Sequence, residues 1–194
     1  MDARLQKVRD IFESYTPIPD SEWEYVAKSI NFKLFKKNEY LITADTVADH
    51  SFIIIKGLVR IYYITETCKE FIRGFAKEND IIGSTGSMIK LLPSRFYVQA
   101  LEDTEVAPLW RNKVNQLYER HQCWERLGRL ISENSLIHIE AREGDILDSP
   151  EVRYLRFLKK HPDICSRLPQ YHIASYLRIT DVALSRLRKR IKLI

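Results

Sequence analysis

From Phe32 to about Trp110 the apolar residues fall into short β-branched and aromatic runs separated by polar or Gly-containing turns, and this segmentation limits the chain's fold more than any other feature. The runs are Tyr40 to Thr43, Ser51 to Ile55, Leu58 to Ile64, Glu70 to Phe75, Arg95 to Leu101 and Glu105 to Trp110. Strands this short and this closely spaced bury their apolar sides by forming a sandwich or barrel. On both sides of the segment the apolar period is helical. Residues 1–15 place Leu5, Val8, Ile11 and Phe12 on one face, and Pro17 and Pro19 end that helix. A second helix follows, with Asp20 or Ser21 as its cap and Trp23, Val26, Ala27 and Ile30 on its apolar face.

After Trp110 the pattern is helical for nearly forty residues, which predicts a long helix over about 111–143. Within it Trp124, Leu127, Leu130, Ile131, Asn134, Ile137 and Ala141 include a seam with a/d spacing, and Asn134 interrupts it as polar residues do in paired helices. A dimer interface is the expectation for this seam; the alternative is a helix packed on its own domain. Residues 144–150 carry break and capping signals, so two domains are predicted, 1–143 and 144–194.

Charge divides at nearly the same place. Residues 1–150 hold 20 Lys and Arg against 23 Asp and Glu, whereas residues 151–194 hold 11 against 3. A compact basic unit on a mildly acidic one is the footprint of a protein whose tail alone meets a polyanion. The first fifteen residues mix charged and apolar side chains, unlike a signal peptide, and no run reaches membrane-spanning length, so a cytoplasmic protein without a membrane partner is expected. Cys68, Cys123 and Cys165 lie far apart and have no neighbouring Cys or His at ligand spacing, which predicts free thiols and no metal site. Nucleophile-elbow, zincin, P-loop and CxxC motifs are missing from the sequence, so no catalytic residue is assigned and no enzyme is expected.

The segment Leu168 to Ile191, LPQYHIASYLRITDVALSRLRKRI, has the pattern of a helix-turn-helix. Ile173, Leu177, Ile179, Leu184 and Leu187 fall where two such helices bury apolar side chains, and Ala174 falls at their closest approach. Thr180 can cap the second helix, and Asp181 stands at its positive end. If that helix enters the major groove, Asp181, Val182, Ser185 and Arg186 reach base edges. Arg186 suits guanine, Asp181 cytosine and Val182 a thymine methyl, while Gln170, Thr180, Arg188 and Lys189 suit phosphates. The position between the helices needs positive φ and is Arg178 rather than Gly, at a cost of about 1 kcal/mol or more. An ordinary helical hairpin with a basic outer face is the competing reading.

Taken together, the stretch FKLFKKNEYLITADTVADHSFIIIKGLVRIYYITETCKEFIRGF, the NDIIGSTGSM turn, the YVQALEDTEV strands and the HIASYLRITDVALSRLRKRI hairpin resemble the Crp/Fnr family of bacterial transcription regulators. The resemblance implies an α+β protein: an N-terminal cyclic-nucleotide-binding-like β-roll of jelly-roll type with flanking helices, a long dimerisation helix, and a C-terminal winged-helix-like helix-turn-helix domain. With four residues after Arg190, a full wing is not expected. The implied function is a sequence-specific regulator that binds a near-palindromic double-stranded DNA operator as a homodimer, with RNA polymerase as a further implied partner. The alternative is a ligand-binding or protein-interaction module without specific DNA binding.

The ligand cassette departs from that resemblance. Family members that bind cyclic AMP hold its phosphate and ribose with a Gly-Glu turn and an Arg-Ser or Arg-Thr pair. Here Gly83, Ser84, Thr85 and Gly86 occupy the turn, and Ser94 and Arg95 stand in reversed order. Ser84 cannot replace the carboxylate, and an offset of one residue in a strand turns Arg95 to the opposite face. Cyclic AMP is therefore not the expected effector, no cofactor is assigned, and the N-terminal cysteine cluster of an iron–sulfur sensor is missing. A haem ligand among His50, His121 and His138 has no distinguishing context.

Overall fold

The protein, seen in a computed structural model that describes residues 2–191 apart from the Ile146 side chain, divides into two compact units. One comprises residues 1–61 and 75–136; the other joins residues 62–74 to 137–194.

In the first unit α1 (Ala3–Glu13) starts at Asp2, whose carboxylate accepts from the Arg4 N–H at 2.9 Å. The second helix, α2 (Asp20–Ala27), has Pro19 at its N-cap with no side-chain cap, so Asp20 and Ser21 lie inside the first turn instead of preceding it. Proline presets the backbone there, and Asp20 and Glu22 face the positive helix end.

Eight strands follow: β1 (Lys33–Phe35), β2 (Tyr40–Ile42), β3 (His50–Lys56), β4 (Leu58–Ile64), β5 (Glu70–Lys77), β6 (Ile81–Gly83), β7 (Tyr97–Ala100) and β8 (Thr104–Trp110). They form two four-stranded sheets, ordered β1-β8-β3-β6 and β2-β7-β4-β5. The architecture is the jelly-roll of a cyclic nucleotide-binding fold with flanking helices. All six predicted strands are present, with ends shifted by one or two residues. The unpredicted β1 and β6 have three residues each, too few to show a period of two, and they exist by pairing with β8 and β3.

Strand β3 explains why the run Phe52 to Ile55 is apolar without alternation: both of its faces are buried. Ile53 and Ile55 join Val8, Phe12, Trp23, Val26, Leu117, Trp124 and Leu127 in a core between sheet and helices. Phe52 turns the other way and meets Phe35 edge to face at 5.8 Å. Between β3 and β4, Gly57 has φ 114°, and a Cβ there would lie 2.7 Å from the Thr104 Cα. The short helix α3 (Thr85–Lys90) separates β6 from β7.

The long helix expected over 111–143 is two helices, α4 (Arg111–Arg120) and α5 (Gln122–Gly144). His121 breaks it with an extended backbone, φ −156°, and its Nδ1 accepts the Cys123 N–H at 3.1 Å. At the start of α5, Trp124 donates its indole N–H to Glu22 at 3.0 Å, and Arg120 Nε reaches the same carboxylate at 2.9 Å.

The second unit is mainly helical. After a 3₁₀ turn at Asp145–Leu147, Ser149 caps α6 (Pro150–Lys160) by accepting from Val152, with Pro150 in the first turn. The hairpin α7 (Gln170–Tyr176) and α8 (Asp181–Arg190) follows. Tyr154, Phe157, Ile164, Leu168, Ile173, Leu177, Leu184 and Leu187 are buried in this unit. Among the described residues no helix is long and apolar enough to cross a membrane.

Candidate nucleic-acid interface

The helical hairpin has the geometry its sequence predicts. Ile173, Ala174, Leu177, Leu184 and Leu187 are buried, and Ile179 is half-buried. Thr180 is extended, and its hydroxyl accepts from the Ala183 N–H at 3.2 Å, which fixes the first turn of α8. Arg178 adopts φ 58°. Around it the Ile179 N–H bonds to the Ala174 carbonyl at 3.0 Å and the Arg178 N–H to Ser175 at 3.1 Å, a Schellman closure with arginine in the usual glycine place.

This packing leaves one surface free. Asp181, Val182, Ser185 and Arg186, the predicted base-reading residues, are all exposed along α8. Gln170, Thr180 and Lys189 are exposed too, and Arg188 is half-buried. The last turn of α8 is basic, with Arg188, Lys189 and Arg190, and Arg190 is held by Glu151 at 2.5 Å. A rigid two-helix unit with an exposed polar and basic helix can lie in a major groove.

Some contacts of this unit leave no trace in sequence pattern. The Ser175 hydroxyl accepts the Ile72 N–H at 3.2 Å and lies 3.4 Å from the Glu70 carbonyl, which joins α7 to the β4–β5 hairpin tip. Arg178 stacks over Phe71 at 5.0 Å. Serine in a helix and arginine in a turn are common enough that nothing in the sequence marks these partners.

The predicted dimer seam divides in two. Trp124 (2% exposed) and Leu127 (5%) lie in the core of their own unit, so they are removed from the interface: the domain needs them to close over α1 and α2. Leu130 and Ile131 are half-buried, Ile131 against that core. Beyond them Asn134, Ile137 and Ala141 are exposed, and Asn134 Nδ2 lies 3.5 Å from the Tyr15 hydroxyl. Leu136 and Ile139, outside the seam, are exposed as well.

The ligand-pocket candidates are not one constellation. Gly83 ends β6 with its Cα facing Ser51, and Ser84 is buried at the N-cap of α3 without capping it. Thr85 is exposed. Ser94 is buried, and its hydroxyl donates to the Phe96 carbonyl at 3.0 Å. Arg95 is exposed between buried Ser94 and Phe96, as the one-residue offset predicts. The buried hydroxyl that the sequence pattern did not single out is Ser87, which accepts the Ala48 N–H and donates to the Leu92 carbonyl. Cys68, Cys123 and Cys165 are free, and among the described residues no three His, Cys, Asp or Glu side chains gather as metal ligands.

Comparison with known proteins agrees with the fold. Residues 32–121 match the family described as the cyclic nucleotide-binding domain. No curated protein matches the chain in sequence. Among solved structures, a CooA mutant from Carboxydothermus hydrogenoformans is 18% identical with a TM-score of 0.73, covering 99% of this chain and 85% of that one. FixK2 from Bradyrhizobium japonicum is 19% identical with a TM-score of 0.71, covering 84% of both chains. The c-di-GMP responsive global regulator CLP from Xanthomonas campestris is 13% identical with a TM-score of 0.70, covering 90% of this chain and 92% of that one. At such identities the likeness is one of fold, and it extends from the β-roll through the C-terminal helices. Residues 32–121 thus match the cyclic nucleotide-binding domain, a regulatory and not an enzymatic module, within the fold that this chain shares with CooA, FixK2 and CLP.

Proposed function

We propose that this chain is a sequence-specific DNA-binding transcription regulator of the Crp/Fnr type, working in the cytoplasm as a homodimer on a near-palindromic operator. The observation that carries the reading is the α7–α8 hairpin: a capped second helix, a Schellman turn and a small residue at the crossing fix a rigid unit whose exposed face holds Asp181, Val182, Ser185 and Arg186. In this reading residues 1–143 are the sensor-like domain with its dimerisation helix, and residues 144–194 bind DNA. The regulator CLP and the catabolite activator protein of Thermus thermophilus, which has a TM-score of 0.59, support it by fold. RNA polymerase is the partner such a regulator would address.

The dimer rests on α5 beyond its buried start, where Ile137 stands 61% exposed beside Leu136 and Ile139. An isolated helix does not keep three large apolar side chains in water on more than one side without cost, and a second copy would cover them. Arg186 is assigned to a guanine, Lys189 to phosphate. The test is a gel shift with genomic fragments over a salt series: a regulator shows a specific component above the salt-sensitive background. Arg186→Ala should lose about 1 to 3 kcal/mol at one operator position, whereas Lys189→Ala should weaken all sequences alike. Wild-type affinity in Arg186→Ala would remove α8 from the groove.

A further inference from the structure

Tyr176 is the centre of an arginine cluster in the second unit. The Arg142 guanidinium, at the end of α5, lies 3.7 Å from the centre of the Tyr176 ring and donates to the Tyr176 carbonyl. Phe157 of α6 packs 5.1 Å from the same ring, and Arg153 stands one turn earlier on that face of α6. Arg178 follows Tyr176 by two residues and stacks on Phe71.

The charges in this cluster are not balanced. Arg153 Nε is buried and has no hydrogen-bond partner. Neither Arg153 nor Arg178 enters an ion pair among the described residues. The acidic groups at hand are Asp145, shared between Arg142 and Arg156, and Asp148, which binds Arg156 at 2.8 Å. Burial, and after it Arg142 and Arg153, hold the Arg178 guanidinium below its ordinary range, so the three cations lie close enough to repel one another. Like charges kept together around a buried, unsatisfied N–H are stable when a multiply charged acceptor joins them.

From this juxtaposition we infer that Arg142, Arg153 and Arg178 form an anion site that takes a phosphate group. A phosphate carries more than one negative charge and enough oxygens for several guanidinium forks, whereas a carboxylate would leave the cluster positive. The group belongs to a small phosphorylated molecule or to the backbone of bound duplex, and the two sources separate in one experiment.

The full-length chain is titrated calorimetrically with inorganic pyrophosphate at constant ionic strength. Its affinity for a duplex of arbitrary sequence is then measured over a salt series. Arg153→Met and Arg178→Gln are compared with wild type; Arg142 is left intact because it holds the Tyr176 carbonyl. A saturable pyrophosphate isotherm that weakens at least about tenfold in both variants, with an unchanged salt slope for duplex, assigns the site to a free phosphorylated molecule. A slope that falls by about 0.9 per arginine removed assigns it to backbone phosphate.

Both variants should melt no lower than wild type without anion, since each relieves repulsion. A lower melting temperature would make the arginine structural and overturn the site. So would unchanged pyrophosphate affinity and slope in both variants, or a wild type that binds neither pyrophosphate nor duplex. The pyrophosphate arm is readable even if the chain does not act on DNA.

Discussion

Glu22 shows what one buried carboxylate does for the first unit. The Trp124 indole N–H, and with it the Arg120 guanidinium, hold its carboxyl below the ordinary value of 4.5 against the opposing effect of burial. A carboxyl depressed on folding contributes stability that is present above its unfolded value and lost as pH falls through its folded one. Acid unfolding should therefore have a component below about pH 4.5 that disappears in Glu22→Gln, which keeps an acceptor for Trp124 but has no proton to bind. Glu22→Ala, which leaves the indole N–H buried without an acceptor, should cost about 2 to 3 kcal/mol at neutral pH in urea unfolding. An acid profile identical in Glu22→Gln and wild type would show that the carboxylate is idle. None of this was legible in sequence, where Glu22 read only as a helix-start residue and its partners lie about a hundred positions away. Arg178 is the opposite case. Its positive φ follows from the spacing of the two helices around it, so Arg178→Gly should stabilise the turn by about 1 kcal/mol, provided the stacking on Phe71 contributes less than that.

At the scale of elements, α5 does two jobs along one face. Its first turns close the core through Cys123, Trp124 and Leu127, while the same stripe continues past Ile131 into solvent at Asn134, Ile137 and Ala141. A charge at each end should thus have different effects. Ile137→Glu should leave the melting temperature nearly unchanged and turn a dimer into a monomer in light scattering at micromolar concentration. Leu127→Glu should unfold the first unit, because it buries a carboxylate among Val8, Phe12 and Trp124 without a counter-charge. A monomeric wild type, or a dimeric Ile137→Glu, would reject the interface. The periodicity of α5 was legible and its division was not, since a heptad stripe is the same whether it meets its own sheet or a second copy. The break at His121 was also hidden: residues 111–143 are helical in composition throughout, and only a backbone turned to extended geometry separates α4 from α5. Strands with several alternating residues were legible; β1, β6 and the short α3 were not, being set by neighbours more than by their own sequence.

For the molecule as a whole, the open question is what the β-roll senses, since its fold is that of a cyclic nucleotide-binding domain while its cassette is chemically altered. A cyclic phosphate needs a guanidinium and backbone donors, and a ribose hydroxyl needs a carboxylate. In this chain Arg95 is turned to solvent, the neighbouring Ser94 hydroxyl is spent on the Phe96 carbonyl, and Ser84 stands where the acid would be. Losing two charge-assisted hydrogen bonds, each worth roughly 1.5 to 3 kcal/mol, moves a micromolar affinity to about millimolar or weaker. A ligand that scarcely occupies its site cannot favour one conformational state over another, whatever the fold could otherwise transmit. The purified chain should accordingly bind its operator without added nucleotide, and cyclic AMP should not change that affinity. Calorimetric titration of the dimer with cyclic AMP decides it. A saturable isotherm at low micromolar concentration would mean that side chains outside the Gly83 to Arg95 cassette rebuild the phosphate site, and the independence of DNA binding from cyclic AMP would fall with it.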